Sequence, residues 1–162
     1  MPIDNVRDLP PLGHVGYIVE DIEAGADGFR RALGLGEFRV YDYVPRKAWS
    51  YGQPLSPCRL RIGIGSIGGH VKLELIQPVE GTTPQARFLR ERGPGLHHVA
   101  FSTDRYEEWL DRFRQRGAEI SFEAEAEDEI NGYRRSFYAE VAGMPAVVEV
   151  SETARHRRGE RT

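Results

Sequence analysis

Hydrophobic and polar positions follow two periodicities along the chain, and both occur twice in the same order. In residues 14–19 apolar Val15, Tyr17 and Val19 alternate with His14, Gly16 and Ile18, and a similar alternation occurs in residues 98–103. Alternation with a period of two is typical of β-strands. The two segments also share their opening pair, His14-Val15 and His98-Val99. We therefore expect two strands of related sequence, one near the start of the chain and one beyond its middle.

A helix is predicted after each of these strands. Apolar residues recur at spacings of four, three and four, which forms one stripe along a helix; they are Ile22, Ala26, Phe29 and Leu33. Asp21 is a predicted N-cap and Gly34 a predicted stop. The buried face of the second helix is predicted at Tyr106, Trp109, Leu110 and Phe113. Asp104 with Glu107 resembles a capping box, and Gly117 is the predicted stop.

Three further strands follow each predicted helix, separated by glycine and proline turns. In sequence order they are Glu37–Val44, Arg59–Ile64 and His70–Ile76, then Ala118–Phe122, Tyr133–Val141 and Ala146–Val150. The pattern predicts an α+β domain at residues 11–151, built from two tandem βαβββ modules. Module one covers residues 11–78 and module two residues 95–151. Residues 79–94 form a linker with a short helix near Gln85–Arg92, and residues 152–162 are predicted to be disordered.

The two modules are copies of one motif. An offset of 84 residues maps His14 to His98 and continues through the following helix, where Phe29 maps to Phe113. The last strands of the two modules also correspond, through Glu74 and Glu149 at an offset of 75 residues. In both, one carboxylate stands within a run of aliphatic residues. Strand alternation places the aliphatic neighbours against the helix and the glutamate on the opposite face.

Four residues at repeated positions are candidate metal ligands: His14, Glu74, His98 and Glu149. A buried lone carboxylate is unfavourable unless it is paired or binds a metal. Two imidazoles and two carboxylates suit one divalent ion of Zn, Ni, Co, Mn or Fe and leave coordination positions open. A single strand histidine or glutamate is more often structural, so the prediction depends on all four obeying the repeat. His97 has the opposite strand parity to His98 and His70 lies at a strand start, so neither is included.

Composition excludes several other classes of protein. The formal charge of −3 at pH 7 gives no reason to expect binding to nucleic acid or membranes, and we interpret the basic segment at residues 155–161 as a frayed tail. The single cysteine, Cys58, excludes an intramolecular disulfide and is expected to be a buried small hydrophobe. The chain has neither an apolar run long enough to span a bilayer nor the pattern of a signal peptide. We expect a cytoplasmic protein.

The chain resembles the vicinal oxygen chelate superfamily, also called the glyoxalase/bleomycin-resistance/dioxygenase superfamily. The resemblance covers residues 11–151 and is found in four segments: Leu12–Ile22, Leu73–Pro78, Gly95–Phe101 and Val148–Val150. It implies two βαβββ modules that form a cupped, barrel-like mixed sheet around one metal site, commonly in a homodimer. The ligand set is most similar to that of methylmalonyl-CoA epimerase and glyoxalase I.

The resemblance implies an isomerase, epimerase or lyase that abstracts a proton next to a carbonyl, with a metal-stabilised enolate. The substrate would be a small carbonyl compound or acyl thioester. Glu149 is the first candidate for the base and Glu74 the second, while Arg61, Lys72 and Tyr51 are candidate substrate contacts. On strand Arg59–Ile64, alternation predicts that Leu60, Ile62 and Ile64 face the helix and that Arg61 points inward.

Two alternatives on the same fold remain. A small-molecule binding protein of the resistance type is the first, although such proteins lack the ligands. A dioxygenase is less favoured, because module two has no histidine on Ala118–Phe122 or Tyr133–Val141. The sequence departs from the epimerases at residues 43–54, where they have a second catalytic glutamate and this chain has no carboxylate. A clear glutathione-binding set is also missing, so both epimerisation and a different enolate reaction stay open.

Overall fold

The computed structural model describes residues 9–129 and 131–153, which form three helices and ten strands. The strands are β1 (Leu12–Ile18), β2 (Arg39–Tyr43), β3 (Lys47–Ser50), β4 (Gln53–Pro54), β5 (Arg59–Ser66), β6 (Lys72–Glu80), β7 (Gly95–Ser102), β8 (Glu119–Asp128), β9 (Gly132–Glu140) and β10 (Val147–Thr153). The helices are α1 (Ile22–Leu33), α2 (Pro84–Arg92) and α3 (Tyr106–Gln115). All predicted elements are present, and the α+β prediction is confirmed.

One curved mixed sheet contains all ten strands in the order β2-β5-β6-β1-β7-β10-β9-β8-β3-β4. Within each module the first strand runs parallel to the last, so β1 pairs with β6 and β7 with β10. The antiparallel pair β1–β7 joins the modules at the middle of the sheet. The two modules therefore share one continuous backbone hydrogen-bond ladder, and the repeat of the sequence is also a repeat of the topology.

The convex face of the sheet carries helices α1 and α3. Ile22 and Ala26 of α1 pack with Val19 and Leu75 in one buried cluster. A second cluster combines α3 with β9 and β10, and its members are Tyr106, Trp109, Leu110, Phe137, Ala139, Val148 and Val150. Each large apolar side chain buried in this way stabilises the fold by roughly 1.5–3 kcal/mol. The predicted aliphatic faces of β6 and β10 are thus confirmed, which leaves Glu74 and Glu149 on the concave face.

The concave face is filled by a third cluster that spans both modules. Its fully or nearly buried members include Ile18, Leu60, Ile62, Ile76, Phe122 and Tyr138. Phe88 and Leu89 of α2 pack against the same cluster, so the linker helix covers part of the cup. Leu60 and Ile62 lie in this cluster and not against α1, while a Cβ on Gly63 would stand 3.2 Å from Ile22 of α1. The predicted facing of β5 was therefore wrong, because alternation separates two faces without saying which one is concave.

A short hairpin was missing from the predictions. Strands β3 and β4 form it within residues 47–54 of module one, yet β3 pairs with β8 of module two. The turn uses Tyr51 and Gly52, with φ of 48° and 75°. Such a turn matches the twist of a two-residue β-hairpin. The local sequence does not alternate clearly, and the strand exists because β8 supplies its partner.

Helix caps agree with the sequence at α1 and differ at α3. The Asp21 carboxylate accepts a hydrogen bond of 2.8 Å from the Ala24 amide, and Gly34 ends α1 with φ of 66°. The capping box predicted at Asp104 was wrong, since α3 is capped at Arg105 without a side-chain bond. Thr103 Oγ1 instead accepts from the Arg105 amide at 2.9 Å.

Strand β10 extends two residues into the segment predicted to be disordered. Glu152 is buried and accepts a hydrogen bond of 2.8 Å from Arg135 Nε. The rest of that segment, residues 154–162, lies outside the described residues. Among the helices of the described residues, none is long and apolar enough to cross a membrane.

Candidate metal centre

The four predicted ligands lie on four consecutive strands of the sheet. His14 is on β1, Glu74 on β6, His98 on β7 and Glu149 on β10. Gly16 of β1 is in register with both Glu74 and His98. Ala100 of β7 is likewise in register with His14 and Glu149. Each module thus supplies one histidine from its first strand and one glutamate from its last, and the four meet on the concave face.

The nitrogen and oxygen atoms of these side chains converge on one point. His98 Nε2 lies 3.1 Å from Glu74 Oε2 and 3.2 Å from Glu149 Oε2. His14 Nε2 lies 3.3 Å and 3.2 Å from the same two oxygens, and 3.2 Å from His98 Nε2. Neighbouring donor atoms around a divalent ion at about 2.1 Å stand about 3 Å apart. The spacing and chemistry of the four donors therefore fit a divalent ion.

Burial and charge make this cluster unusual for a folded protein. His98 is fully buried, and Glu74 and Glu149 are each 8% exposed. Burial raises the pKa of both carboxyl groups, but the neighbouring imidazoles outweigh burial and lower it below its ordinary value. Burial lowers the pKa of both rings, but the two carboxylates outweigh it and raise the pKa of His14 and His98 above 6.5. Two ionised carboxylates in a buried site are a strong reason for a cation to bind there.

Gly16 makes room for the His98 ring. A Cβ at this position would lie 1.9 Å from His98 Cε1 and 2.2 Å from Nε2. No side chain fits at such a distance, and the fully buried ring has little space to move. The absence of a side chain at Gly16 is thus part of how the sequence builds the site.

His97 is a residue that the sequence argument missed. The β1–β7 pairing shifts between Gly16–His98 and Tyr17–Leu96, which is a β-bulge at His97. The bulge turns His97 towards His98, and their Nδ1 atoms lie 2.9 Å apart. Burial, assisted by His98, lowers the pKa of His97 to about 3. His97 lies outside the group of four candidate ligands, but strand parity is not the reason, because a bulge breaks the alternation on which that argument rests.

The candidate substrate contacts do not all lie near the cluster. Lys72 does: it is in register with His14, and its ammonium group donates to Ser66 Oγ at 2.8 Å. Arg61 points to the helical side of the sheet, where it forms a 2.8 Å ion pair with Glu23 of α1, so its predicted inward position was wrong. The reason is again that β5 turns Leu60 and Ile62, and not Arg61, to the concave face.

Tyr51 lies in the turn of the β3–β4 hairpin. Its hydroxyl donates to Glu140 at 3.1 Å and accepts a hydrogen bond from Arg87 of α2. These contacts fix the tip of the β3–β4 hairpin against β9 and the linker helix. His70, which was left out of the predicted ligand set, is exposed in the turn before β6.

Two tyrosines and an arginine line the cup beyond the ligands and were also missed. The Arg134 guanidinium lies 5.0 Å from the centre of the Tyr43 ring and 6.0 Å from that of Tyr41, and it pairs with Asp128 at 2.8 Å. Burial, with the charge of Glu74, raises the pKa of Tyr41 to about 12. These three residues could be found only from the curved sheet, since β2 and β9 lie far apart in the sequence.

Sequence comparison agrees with this architecture. The pattern of the glyoxalase/bleomycin resistance protein/dioxygenase superfamily matches residues 13–137, which is most of the chain. The chain belongs to this superfamily. The match begins just before His14 and covers the first strands of both modules.

Proteins with related sequences or structures can also be compared with this chain. An uncharacterised Bacillus subtilis protein, YqjC, is 28% identical over 118 residues, which are 66% of this chain and 75% of that protein. Methylmalonyl-CoA epimerase from Mycobacterium tuberculosis superposes with a TM-score of 0.65 at 21% identity, over 90% of this chain and 89% of the epimerase. The Streptomyces coelicolor epimerase, in complex with 2-nitronate-propionyl-CoA, superposes with a TM-score of 0.60 at 20% identity, over 91% of this chain and 99% of that epimerase. These epimerases match the branch that the sequence resembles and show the shared fold.

Proposed function

We propose that the protein is a metal-dependent isomerase, epimerase or lyase that removes a proton from a carbon next to a carbonyl group. One observation supports this above all: two histidines and two glutamates from both modules place their donor atoms within 4.8 Å of one another. One divalent ion of Zn, Ni, Co, Mn or Fe would be held by His14, Glu74, His98 and Glu149. Such an ion supplies Lewis acidity, which polarises a carbonyl oxygen and acidifies the neighbouring C–H bond.

The proton acceptor in this proposal is a ligand carboxylate. Glu149 is the first candidate and Glu74 the second, because both are ionised at neutral pH and lie on the concave face. Their strands, β6 and β10, flank the β1–β7 pair on opposite sides. A substrate between them would present one face of its reacting carbon to each carboxylate. One glutamate would then take the proton and either the same or the opposite one would return it.

The proposed substrate is a small carbonyl compound or an acyl thioester. Structural neighbours bind methylmalonyl-CoA or 2-nitronate-propionyl-CoA, which are acyl-CoA compounds or their analogues. In this chain Lys72 lies beside His14 on the concave face and would suit an anionic group of the substrate. Residues 43–54 have no carboxylate and form the β3–β4 hairpin, so Glu74 and Glu149 are the bases we propose for either direction of transfer. The homodimer implied by the resemblance stays a prediction.

The test combines metal analysis with proton exchange. Purified protein should hold about one divalent ion per chain, and addition of metal to chelator-treated protein should saturate at the same ratio. NMR in D₂O should then show deuterium entering the α-position of 2-substituted acyl thioesters or α-ketoaldehyde adducts with loaded protein and not with stripped protein. Tight ligand binding without exchange and without bound metal would favour a small-molecule binding protein and contradict the proposal.

A further inference from the structure

His97 and His98 are neighbours in sequence whose rings lie on the same side of strand β7. Their Nδ1 atoms are 2.9 Å apart, which is hydrogen-bonding distance. The opposite edge of the His98 ring carries Nε2, which lies among the donor atoms of His14, Glu74 and Glu149. His98 therefore has one nitrogen in the candidate metal centre and the other against His97.

Imidazole chemistry gives this contact a direction once a metal is bound. A ligand nitrogen must offer a lone pair, so Nε2 of His98 would have no proton and Nδ1 would carry one. A proton on His98 Nδ1 needs an acceptor, because both rings are almost fully buried. Nδ1 of His97 is that acceptor, and its own proton would then be on Nε2.

We propose that His97 is a positioning residue, which fixes the tautomer and ring orientation of His98 for metal binding by accepting a hydrogen bond from its Nδ1–H. This inference rests on the metal site of the proposed function. The fold holds the His97 ring firmly in place, because the bulge sets its direction, the Phe88 ring meets it edge-on at 4.9 Å, and its ring centroid lies 5.6 Å from that of Tyr138. Mutation of the residue that hydrogen-bonds to a ligand histidine commonly lowers metal affinity by about 10–100-fold.

The contact between His97 and His98 has no counterpart in module one. His14, the counterpart of His98, is preceded by Gly13, which has no side chain to offer an acceptor. His98 is also the fully buried member of the pair, whereas the His14 side chain is 20% exposed and open to water. A protein acceptor is needed where water has no access, and the chain provides one there.

Two substitutions separate hydrogen bonding from packing. His97→Phe keeps an aromatic ring of similar size but removes the acceptor. His97→Asn loses volume but places Oδ1 at the same distance along the side chain as Nδ1. We expect Zn²⁺ affinity to fall about 10–100-fold in His97→Phe and to recover most of that loss in His97→Asn. His70→Phe, the same exchange in an exposed turn, should leave the affinity unchanged.

The outcomes distinguish this inference from the proposed function. If wild-type protein binds no divalent ion, the proposed metal site itself fails. If wild type binds Zn²⁺ and His97→Phe binds it within twofold, or if His97→Asn is no tighter than His97→Phe, the positioning role is overturned while the metal site stands.

A spectroscopic measurement on unmutated protein covers the case in which the variants fold poorly. In ¹⁵N-labelled, Zn²⁺-loaded protein, His98 should show a protonated Nδ1 with scalar coupling across the hydrogen bond to His97 Nδ1. A proton on His98 Nδ1 that exchanges rapidly with water and shows no such coupling would overturn the proposal.

Discussion

A side chain at position 16 would overlap the His98 ring, and this gives a sharp test at the scale of single residues. Gly16→Ala would put a methyl group within 1.9 Å of the His98 ring, so the ring must leave its place among the ligands. We expect divalent-metal affinity to fall tenfold or more, with a loss of stability of about 1–3 kcal/mol from overpacking. Metal titration followed by thermal unfolding measures both.

Gly13→Ala is the matched control on the same strand. Its added Cβ would lie 3.6 Å from the nearest atom, which is ordinary contact. This variant should bind metal like wild type. Equal affinities for Gly16→Ala and wild type would mean that His98 does not need its observed position.

Glu149 is assigned two roles, and one substitution separates them. Glu149→Gln keeps a coordinating oxygen and nearly the same volume but cannot accept a proton at neutral pH. Metal should largely stay bound, while exchange of the substrate α-proton with D₂O falls by about 10²-fold or more. Exposed Glu127→Gln should change neither quantity. Exchange at the wild-type rate with metal retained would leave Glu149 as a ligand only and move the base to Glu74.

At the scale of the elements, the sequence was informative where one face of a strand packs on a helix. On β6 and β10 the aliphatic residues face α1 and α3, so alternation assigned Glu74 and Glu149 correctly. On β5 both faces are in contact with other residues: one faces α1 and the other faces the concave cluster. Alternation alone could not tell these faces apart, and it placed Arg61 on the wrong side. The His97 bulge and the pairing of β3 with β8 depend on a partner strand, so no local pattern reports them.

The β3–β4 hairpin gives a test of this cross-module pairing. Ala48 of β3 is buried in the concave cluster, whereas its neighbour Lys47 is exposed. Ala48→Asp would place a carboxylate in an apolar core and should lower the free energy of unfolding by about 2–4 kcal/mol. Lys47→Gln, which puts no carboxylate opposite Glu125, should change it by less than about 0.5 kcal/mol. Denaturant unfolding measures both, and a neutral Ala48→Asp would show that the hairpin does not pack on module two.

For the whole molecule, the four candidate metal ligands join the two modules a second time. The β1–β7 ladder connects them through backbone, and the four ligands connect strands from both modules through side chains. A ligand that binds only the native state raises the stability of the entire domain by linkage. Metal should therefore stabilise both modules together, in a single unfolding transition.

Protons should compete with metal for this centre, which makes its binding depend on pH. In metal-free protein the carboxylates raise the pKa of His14 and His98 above 6.5, so these rings hold a proton more tightly than a free imidazole does; the lowered pKa of Glu74 and Glu149 keeps both carboxylates ionised at neutral pH. A metal needs the ring lone pairs, so its binding should release the protons held by these rings, and affinity should rise with pH. The histidines' contribution to metal-free stability is complete below their unfolded pKa near 6.5 and is lost as pH rises through the raised folded values. The stabilisation by metal should consequently grow with pH over that range.

Calorimetric titrations in buffers of different ionisation enthalpy count the protons directly, with exposed His70→Ala as the control that should not alter the count. Metal binding without proton release, or with affinity independent of pH, would mean that the two rings are already neutral and that the carboxylates do not charge them.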